Sequence, residues 1–282
     1  MDEVVDFLWE RAVGDLLPWV AQLEAAERFG LRLAVVEKRM LEQGLLPARY
    51  QRNRTTVSIE EQLQLFNSRV AVIGCGGLGG YIIEELARLG VGHIVAIDPD
   101  IFEEHNLNRQ LLSTPASLGK AKVDAAAARI DEINPAVTLE AVREAFTREN
   151  GRQLLQGVTV AVDALDSIAY RLELAEVCSE MDIPMVYGAI GGWYGHVATQ
   201  LPGDTTIQRT YCNWVEGKGI EKQLGNPSFT PAVVASLQVA EVCKILLGKG
   251  ELLRHRKLSI DLLEMEIFDV SYAAPAELVR AA

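Results

Sequence analysis

The tightest constraint on this chain is Gly74-Cys75-Gly76-Gly77-Leu78-Gly79, set between the β-rich run Val70-Ala71-Val72-Ile73 and a helical stretch from Tyr81 to Leu89. An unbroken apolar run of that kind predicts a strand covered on both faces. Glycines spaced Gly-x-Gly-x-x-Gly permit a tight strand-to-helix turn and close approach of backbone to a phosphate. The helix N-terminus then attracts that phosphate through its free N–H groups and positive dipole. Gly90 closes the helix, and His93 to Ile97 reads as a second strand ending at Asp98, where a carboxylate accepts hydrogen bonds from ribose hydroxyls. The unit predicts nucleotide binding.

The same alternation continues downstream. Strands are expected at Val137 to Ala141, Val158 to Val162 and Met185 to Tyr187, with helices at Lys120 to Ile133, Glu149 to Leu155 and Ile168 to Met181. Strand, helix, strand in sequence predicts an α/β fold, a Rossmann-like and mostly parallel sheet with right-handed crossovers. After Gly188 the pattern turns hairpin-like, with strands at Val197 to Leu201 and Gln208 to Trp214, then a mobile loop over Glu216 to Ser228. Thr230-Pro231 reads as a helix start with a capping hydroxyl, ending at Gly248. Antiparallel C-terminal strands are expected at Lys257 to Asp261 and Glu266 to Val270.

Residues 1–48 read as a helical N-terminal extension, 49–273 as the nucleotide-binding domain and 274–282 as a frayed tail. A capping box, Ser58 and Glu61, opens a short helix to Asn67. The start is acidic and has no secretion-signal pattern, and the apolar stretch Val70 to Ile83 is too short and glycine-rich to span a bilayer, so a cytoplasmic protein is expected. With 27 Lys and Arg against 39 Asp and Glu, the net charge of −12 disfavours nucleic acid and anionic membrane as partners, though it leaves room for a local cationic pocket. The four cysteines, Cys75, Cys178, Cys212 and Cys243, contain no Cys-x-x-Cys pair and read as reduced, mostly packed thiols. His105 and His196 have no partners at metal-ligand spacing and read as surface or packed residues.

A hydride-transfer site binds only a diphosphate. This chain adds Asn106-Leu107-Asn108-Arg109-Gln110, then Gly119-Lys120-Ala121-Lys122-Val123, then Asp163-Ala164-Leu165-Asp166-Ser167 after a strand. Two cations and a strand-end carboxylate beside one nucleotide are the parts that manage a triphosphate and Mg²⁺. Lys120 and Lys122 both open a helix, where cations oppose the dipole, so an anionic ligand helps explain at least one of them; Lys122 is favoured and Lys120 reads as solvated. Asp163 reads as structural, and Asp166 reads as a metal-binding carboxylate or as a cap for the helix at Ser167.

In this order, the glycine motif, Asp98, Asn-Leu-x-Arg-Gln, Gly-Lys-x-Lys-Val, Asn134-Pro135 and Asp-x-x-Asp resemble the MoeB/ThiF/HesA adenylyltransferases, bacterial relatives of ubiquitin-activating enzymes, from about Arg49 to Val270. The resemblance implies ATP-dependent adenylation of the C-terminal glycine of a small ubiquitin-fold sulfur carrier, ThiS- or MoaD-like and ending in Gly-Gly. Pyrophosphate leaves, and the product serves thiamin, molybdopterin, tungstopterin or related sulfur transfer. It implies ATP and Mg²⁺ as cofactors. Gly74, Gly76, Gly77, Gly79, Asp98, Asp100, Asn106, Arg109, Gln110, Lys122 and Asp166 would bind the nucleotide, with Asp98 on the ribose, Arg109 and Lys122 catalytic on the phosphates, and Asp166 on Mg²⁺. A homodimer is implied, in which Arg52, or its rival Arg54, reaches the phosphates of the partner.

Two features depart from the family. Many relatives carry two Cys-x-x-Cys pairs that bind zinc; only Cys212 stands in the corresponding segment, so no zinc is expected. No cysteine lies between Glu216 and Pro231, where relatives place a sulfur- or thioester-forming thiol. The expectation is an enzyme that stops at the acyl-adenylate, with Cys212 the alternative nucleophile. An NAD-dependent oxidoreductase and the tRNA-modifying dehydratase branch are the competing readings, followed by a non-enzymatic scaffold.

Overall fold

The computed structural model describes residues 2–212 and 224–272. Its centre is an eight-stranded sheet of β1 (Arg69–Ile73), β2 (His93–Ile97), β3 (Thr138–Val142), β4 (Val160–Asp163), β5 (Met185–Gly191), β6 (Tyr194–Gln200), β7 (Arg256–Asp261) and β8 (Glu266–Ser271), in the order β8-β7-β6-β5-β4-β1-β2-β3. The strands from β3 across to β5 pair in parallel, and β6, β7 and β8 continue the sheet antiparallel. After β1 the chain builds outward through β2 and β3, then returns to place β4 on the other side of β1. The order therefore reverses between β1 and β4, the place where open α/β sheets leave a crevice beyond the strand ends. Register makes those ends level: Ile73 lies opposite both Ile97 and Asp163, so Gly74, Asp98 and Ala164 leave the sheet together.

Helices cover both faces. Helices α4 (Ile59–Phe66), α5 (Gly77–Leu89), α6 (Lys122–Ile133) and α10 (Phe229–Leu247) bury Val70, Val72, Ile94 and Val162 on one side. On the other, α7 (Arg148–Leu154), α8 (Ile168–Glu180) and α9 (Thr206–Thr210) cover Ala71, Ile73, Val95 and Ala161. Burial on both sides explains why β1, β2 and β4 read as continuous apolar runs. Among the described residues α10 alone is long and apolar enough to cross a membrane, at a mean hydropathy of 1.5. It is longer than the apolar stretch Val70 to Ile83, and it packs against the sheet between α5 and β5.

The N-terminal residues form α1 (Glu3–Arg11), α2 (Trp19–Phe29) and α3 (Leu33–Glu42), which bury Phe7, Leu8, Leu17, Ala25, Val36 and Met40 in a core of their own. Polar groups then lock this bundle to the ends of α5 and α6 through Asn134. Arg49 reaches Glu37, Gln22 and Asn134, and stacks on Trp19; the Tyr50 hydroxyl donates to Glu37 at 3.0 Å and accepts from Asn134 Nδ2 at 2.8 Å. Burial pushes the Glu37 carboxyl upward against the lowering pull of Arg49.

Some local expectations differ from the structure. Gln208 to Thr210 lie in α9 rather than in a strand, because Thr206 and Ile207 turn inward and Gln200 Oε1 accepts the Ile207 N–H at 3.0 Å; Asn213 and Trp214 of that expectation lie outside the described residues, as does 216–223 of the expected loop. Thr230 does not cap α10. It sits inside the helix, buried, with its hydroxyl donating to the Gly192 carbonyl at 2.6 Å. Helix α6 begins at Lys122, leaving Lys120 exposed ahead of it.

Candidate nucleotide-binding site

A cleft of about 390 Å³ opens beyond the ends of β1, β2 and β4. Gly74, with φ +99°, begins its floor; a Cβ there would lie 2.5 Å from the Ala164 carbonyl oxygen, so the first glycine is needed for the turn. A Cβ on Gly79 would overlap the Gly74 carbonyl, which makes the last glycine a helix–strand packing position behind the cleft. Gly76 and Gly77 face the opening, and a Cβ at Gly77 would make ordinary contacts with Pro231 at 3.6 Å and Ile190 at 3.9 Å. Helix α5 starts at Gly77, within the glycine run and four residues earlier than expected, so its unpaired N–H groups belong to the turn itself.

Asp98 is buried and its carboxylate already serves the loop. One oxygen accepts the Cys75 N–H at 2.7 Å and the other the Asp100 N–H at 2.8 Å. Each oxygen keeps a further lone pair for a ribose hydroxyl. Lys122, buried at the start of α6, sends Nζ to Asp100 at 2.9 Å, with Asp98 at 3.8 Å. Arg109 lines the opposite rim, its guanidinium donating to the His105 carbonyl and to Asn108 Oδ1, each at 2.9 Å. Gln110 is buried on the same wall, and its Oε1 has no partner. Ile73, Ile97, Ala145, Phe146 and Leu165 add an apolar wall suited to a nucleobase.

Asp166 is exposed at the cleft edge and, among the described residues, its side chain has no hydrogen bond or ion pair. It is not the cap of α8, since Ser167 occupies that position. Asp163 is fully buried; its Oδ1 accepts the Leu165 N–H at 2.9 Å, and burial pushes its carboxyl up to about 6 against the pull of Arg171.

Three expected site residues lie away from the cleft: Gly79 packs behind it, and Asn106 and Arg52 stand apart from it. Asn106 is buried, and its Oδ1 accepts the Glu103 N–H at 3.0 Å, which shapes the turn carrying Arg109. Arg52 stands exposed on the connector and makes no hydrogen bond or ion pair among the described residues, whereas Arg54 is paired with Asp15 of the N-terminal bundle. One charged cleft residue escaped the sequence reading: Arg171, in the first turn of α8 and almost wholly buried. No local signal marked it, because an arginine in a helix without a clear apolar stripe reads as a surface residue. Cys212 is exposed beside Tyr211, and Cys75 and Cys178 are buried. Among the described residues no group of three or more His, Cys, Asp or Glu could hold a metal ion by itself.

The ThiF family model matches residues 50–279. The chain belongs to the ThiF family. Its relatives include the SAMP-activating enzyme E1 of Haloferax volcanii, 34% identical over 77% of this chain and 81% of that protein, and the sulfur carrier protein adenylyltransferase of Thermus thermophilus, 33% identical over 74% and 80%. The tRNA threonylcarbamoyladenosine dehydratase of Bacillus subtilis is 38% identical over a shorter stretch, 49% of this chain and 54% of that protein. In structure the ThiF-family chain is similar to PaaA, with a TM-score of 0.67 and 22% identity over 79% of this chain and 72% of that one. It is equally similar to Escherichia coli MccB with ATP, also at 0.67, with 21% identity over 86% and 79%. These two likenesses show the fold.

Proposed function

We propose that this ThiF-family adenylyltransferase activates the C-terminal glycine carboxylate of a small ubiquitin-fold sulfur carrier ending in Gly-Gly. One observation carries this reading: the switch-point cleft gathers a glycine turn, two cations and an uncommitted carboxylate, Asp166, around a space of nucleotide size. The relatives named for SAMP activation and sulfur-carrier adenylylation support the substrate class. Product use in thiamin, molybdopterin or related sulfur transfer belongs to the same proposal.

A carboxylate is a poor nucleophile towards a polyanion, so the protein must hold the two together and offset negative charge. The glycine carboxylate attacks the α-phosphorus, an acyl phosphate bond forms, and the bond to the bridging oxygen breaks with release of pyrophosphate. In this scheme the amide groups opening α5 face the phosphates, Asp98 holds the ribose, and Arg109 and Lys122 offset the charge that accumulates on the leaving group. Lys122 exchanges Asp100 for phosphate when the nucleotide enters. Asp166, exposed and unpartnered, fits a Mg²⁺ ion brought in by the triphosphate, because such an ion needs one or two carboxylates beside phosphate and water. When bound, that ion supplies charge neutralisation on the phosphates. Arg52 is the arginine that reaches a second copy's phosphates across a homodimer: it is exposed, uncommitted and off its own cleft, while Arg54 is tied to Asp15. We place the nucleotide-binding domain at 49–273 with 1–48 docked on it, which the family match from residue 50 supports.

The test is ATP–pyrophosphate exchange with purified carriers. Exchange that requires a Gly-Gly carrier and vanishes in Asp166→Ala is expected; exchange indifferent to the carrier refutes the proposal. The Bacillus subtilis relative supports a second reading, a tRNA-modifying dehydratase, which the net charge of −12 opposes. Carrier-independent ATP hydrolysis stimulated by tRNA would favour it.

A further inference from the structure

We infer that Arg171 is a positioning residue that sets the direction of Asp166 in the cleft, acting as one half of a clamp whose other half is Asp163. The inference rests on the proposed role of Asp166. Its ground is the geometry at Leu165. The N–H of Leu165 donates to Asp163 Oδ1 at 2.9 Å, and the Leu165 carbonyl accepts from Arg171 Nη2. That carbonyl belongs to the peptide bond leading into Asp166. Both polar groups of residue 165 are thus held, and the chain leaves the clamp with its direction fixed.

The guanidinium is itself held in place. Its Nη1 donates to the Tyr211 hydroxyl at 3.1 Å, that hydroxyl lies 2.7 Å from the Tyr187 hydroxyl, and the guanidinium carbon sits 5.3 Å above the Tyr187 ring. Arg171 Nε and Asp163 Oδ2 face each other at 3.8 Å, and neither has a hydrogen bond. The ion pair therefore supplies attraction without a direct bond, and the directed hydrogen bonds of both residues go to Leu165 and Tyr211. For a pair introduced only to stabilise the core, two well-packed apolar residues would do as well. What apolar residues cannot supply is the orientation of the 165–166 peptide. Asp166 has no internal hydrogen bond of its own, so the backbone alone can aim it.

Calorimetric binding of AMP and of Mg·ATP to the full chain separates the possibilities. Arg171→Ala leaves a buried carboxylate unpaired, so the main variant is Asp163→Asn with Arg171→Met, which removes both charges and keeps volume. It is expected to weaken Mg·ATP binding about tenfold, the size of effect found when groups that orient a metal ligand are removed. AMP, whose base would meet Leu165 as one residue of the apolar wall, is expected to lose distinctly less affinity than Mg·ATP. Tyr211→Phe, which keeps the ring packed on Tyr187, is expected to shift Mg·ATP binding in the same direction by less. Adding Asp166→Ala to the double variant should weaken Mg·ATP no further than Asp166→Ala alone. Equal loss of AMP and Mg·ATP affinity, or effects of the two sites that multiply, overturns the inference while leaving the functional reading intact. No loss in Asp166→Ala itself overturns both.

Discussion

Replacing Lys122 by Met keeps most of the side-chain stem in its buried slot and removes only the ammonium. What remains is Asp98, 5% exposed, without the cation that stands 3.8 Å away. At an effective dielectric of about 20 that separation corresponds to ~4 kcal/mol of attraction. Two considerations reduce the net effect. Asp98 retains the N–H groups of Cys75 and Asp100, and the variant no longer has to desolvate an ammonium. The second partner, Asp100, has a side chain 64% exposed and adds less than about 1 kcal/mol. A destabilisation of about 2–3 kcal/mol is the expected balance, a lowering of Tm by roughly 4–12 °C for a chain of this size. Thermal unfolding followed by circular dichroism measures it, with Asp98→Asn/Lys122→Met as control. The double variant has no unpaired buried charge, but its amide oxygen can accept only one of the two N–H groups that Asp98 accepts, so it should recover part of the loss. A single variant melting within about 1 °C of the parent would refute the reasoning, because Asp98 would then be held by backbone N–H groups alone.

Other outcomes follow from the same geometry. Gly79→Ala should abolish nucleotide binding and lower Tm, because its Cβ overlaps the Gly74 carbonyl, whereas Gly77→Ala, with ordinary contacts to Pro231, should fold and melt like the parent. Tyr50→Phe strips a buried hydroxyl shared by Glu37 and Asn134 and should cost about 1–3 kcal/mol in urea unfolding; no change would show that the Arg49 contacts hold the N-terminal bundle without that hydroxyl. Iodoacetamide at pH 8 should label Cys212 in preference to the other thiols. Cys212 is exposed, whereas burial pushes Cys178 up to about 12, Cys243 up to about 11 and Cys75 well above its ordinary value. Cys212→Ala should leave ATP–pyrophosphate exchange intact, and its loss would assign that thiol a part in the reaction.

The sheet was legible because parallel strands buried on both faces leave apolar runs, and because glycines bracket the crossovers: β2 was read from His93 to Ile97, as found, and β1 to within a residue. The α9 segment was misread because its inward residues are fixed by Gln200 and the helices beside it, partners distant from any local period. Thr230 carried every local mark of a cap, yet its hydroxyl was taken by Gly192, thirty-eight residues earlier in the chain. Arg109, Lys122 and Asp166 could be picked out as a set from their order after successive strands, and the fold brings all three to one cleft. Arg171 could not, because an arginine reads locally as a surface residue until its partners at 163, 165 and 211 surround it.

Local order in the chain determined the α/β class, the glycine turn and the charges around it, since strand periodicity, turn stereochemistry and phosphate charge act over a few residues. Tertiary structure alone decided the rest. The reversal between β1 and β4 brings residues 74, 98, 109, 122 and 166 to one cleft. The docking of the N-terminal bundle ties Arg54 to Asp15 and leaves Arg52 uncommitted. The buried clamp aims Asp166. Each depends on groups far apart in sequence that meet only after the core has formed, where a hydrogen bond or charge left unpaired costs most.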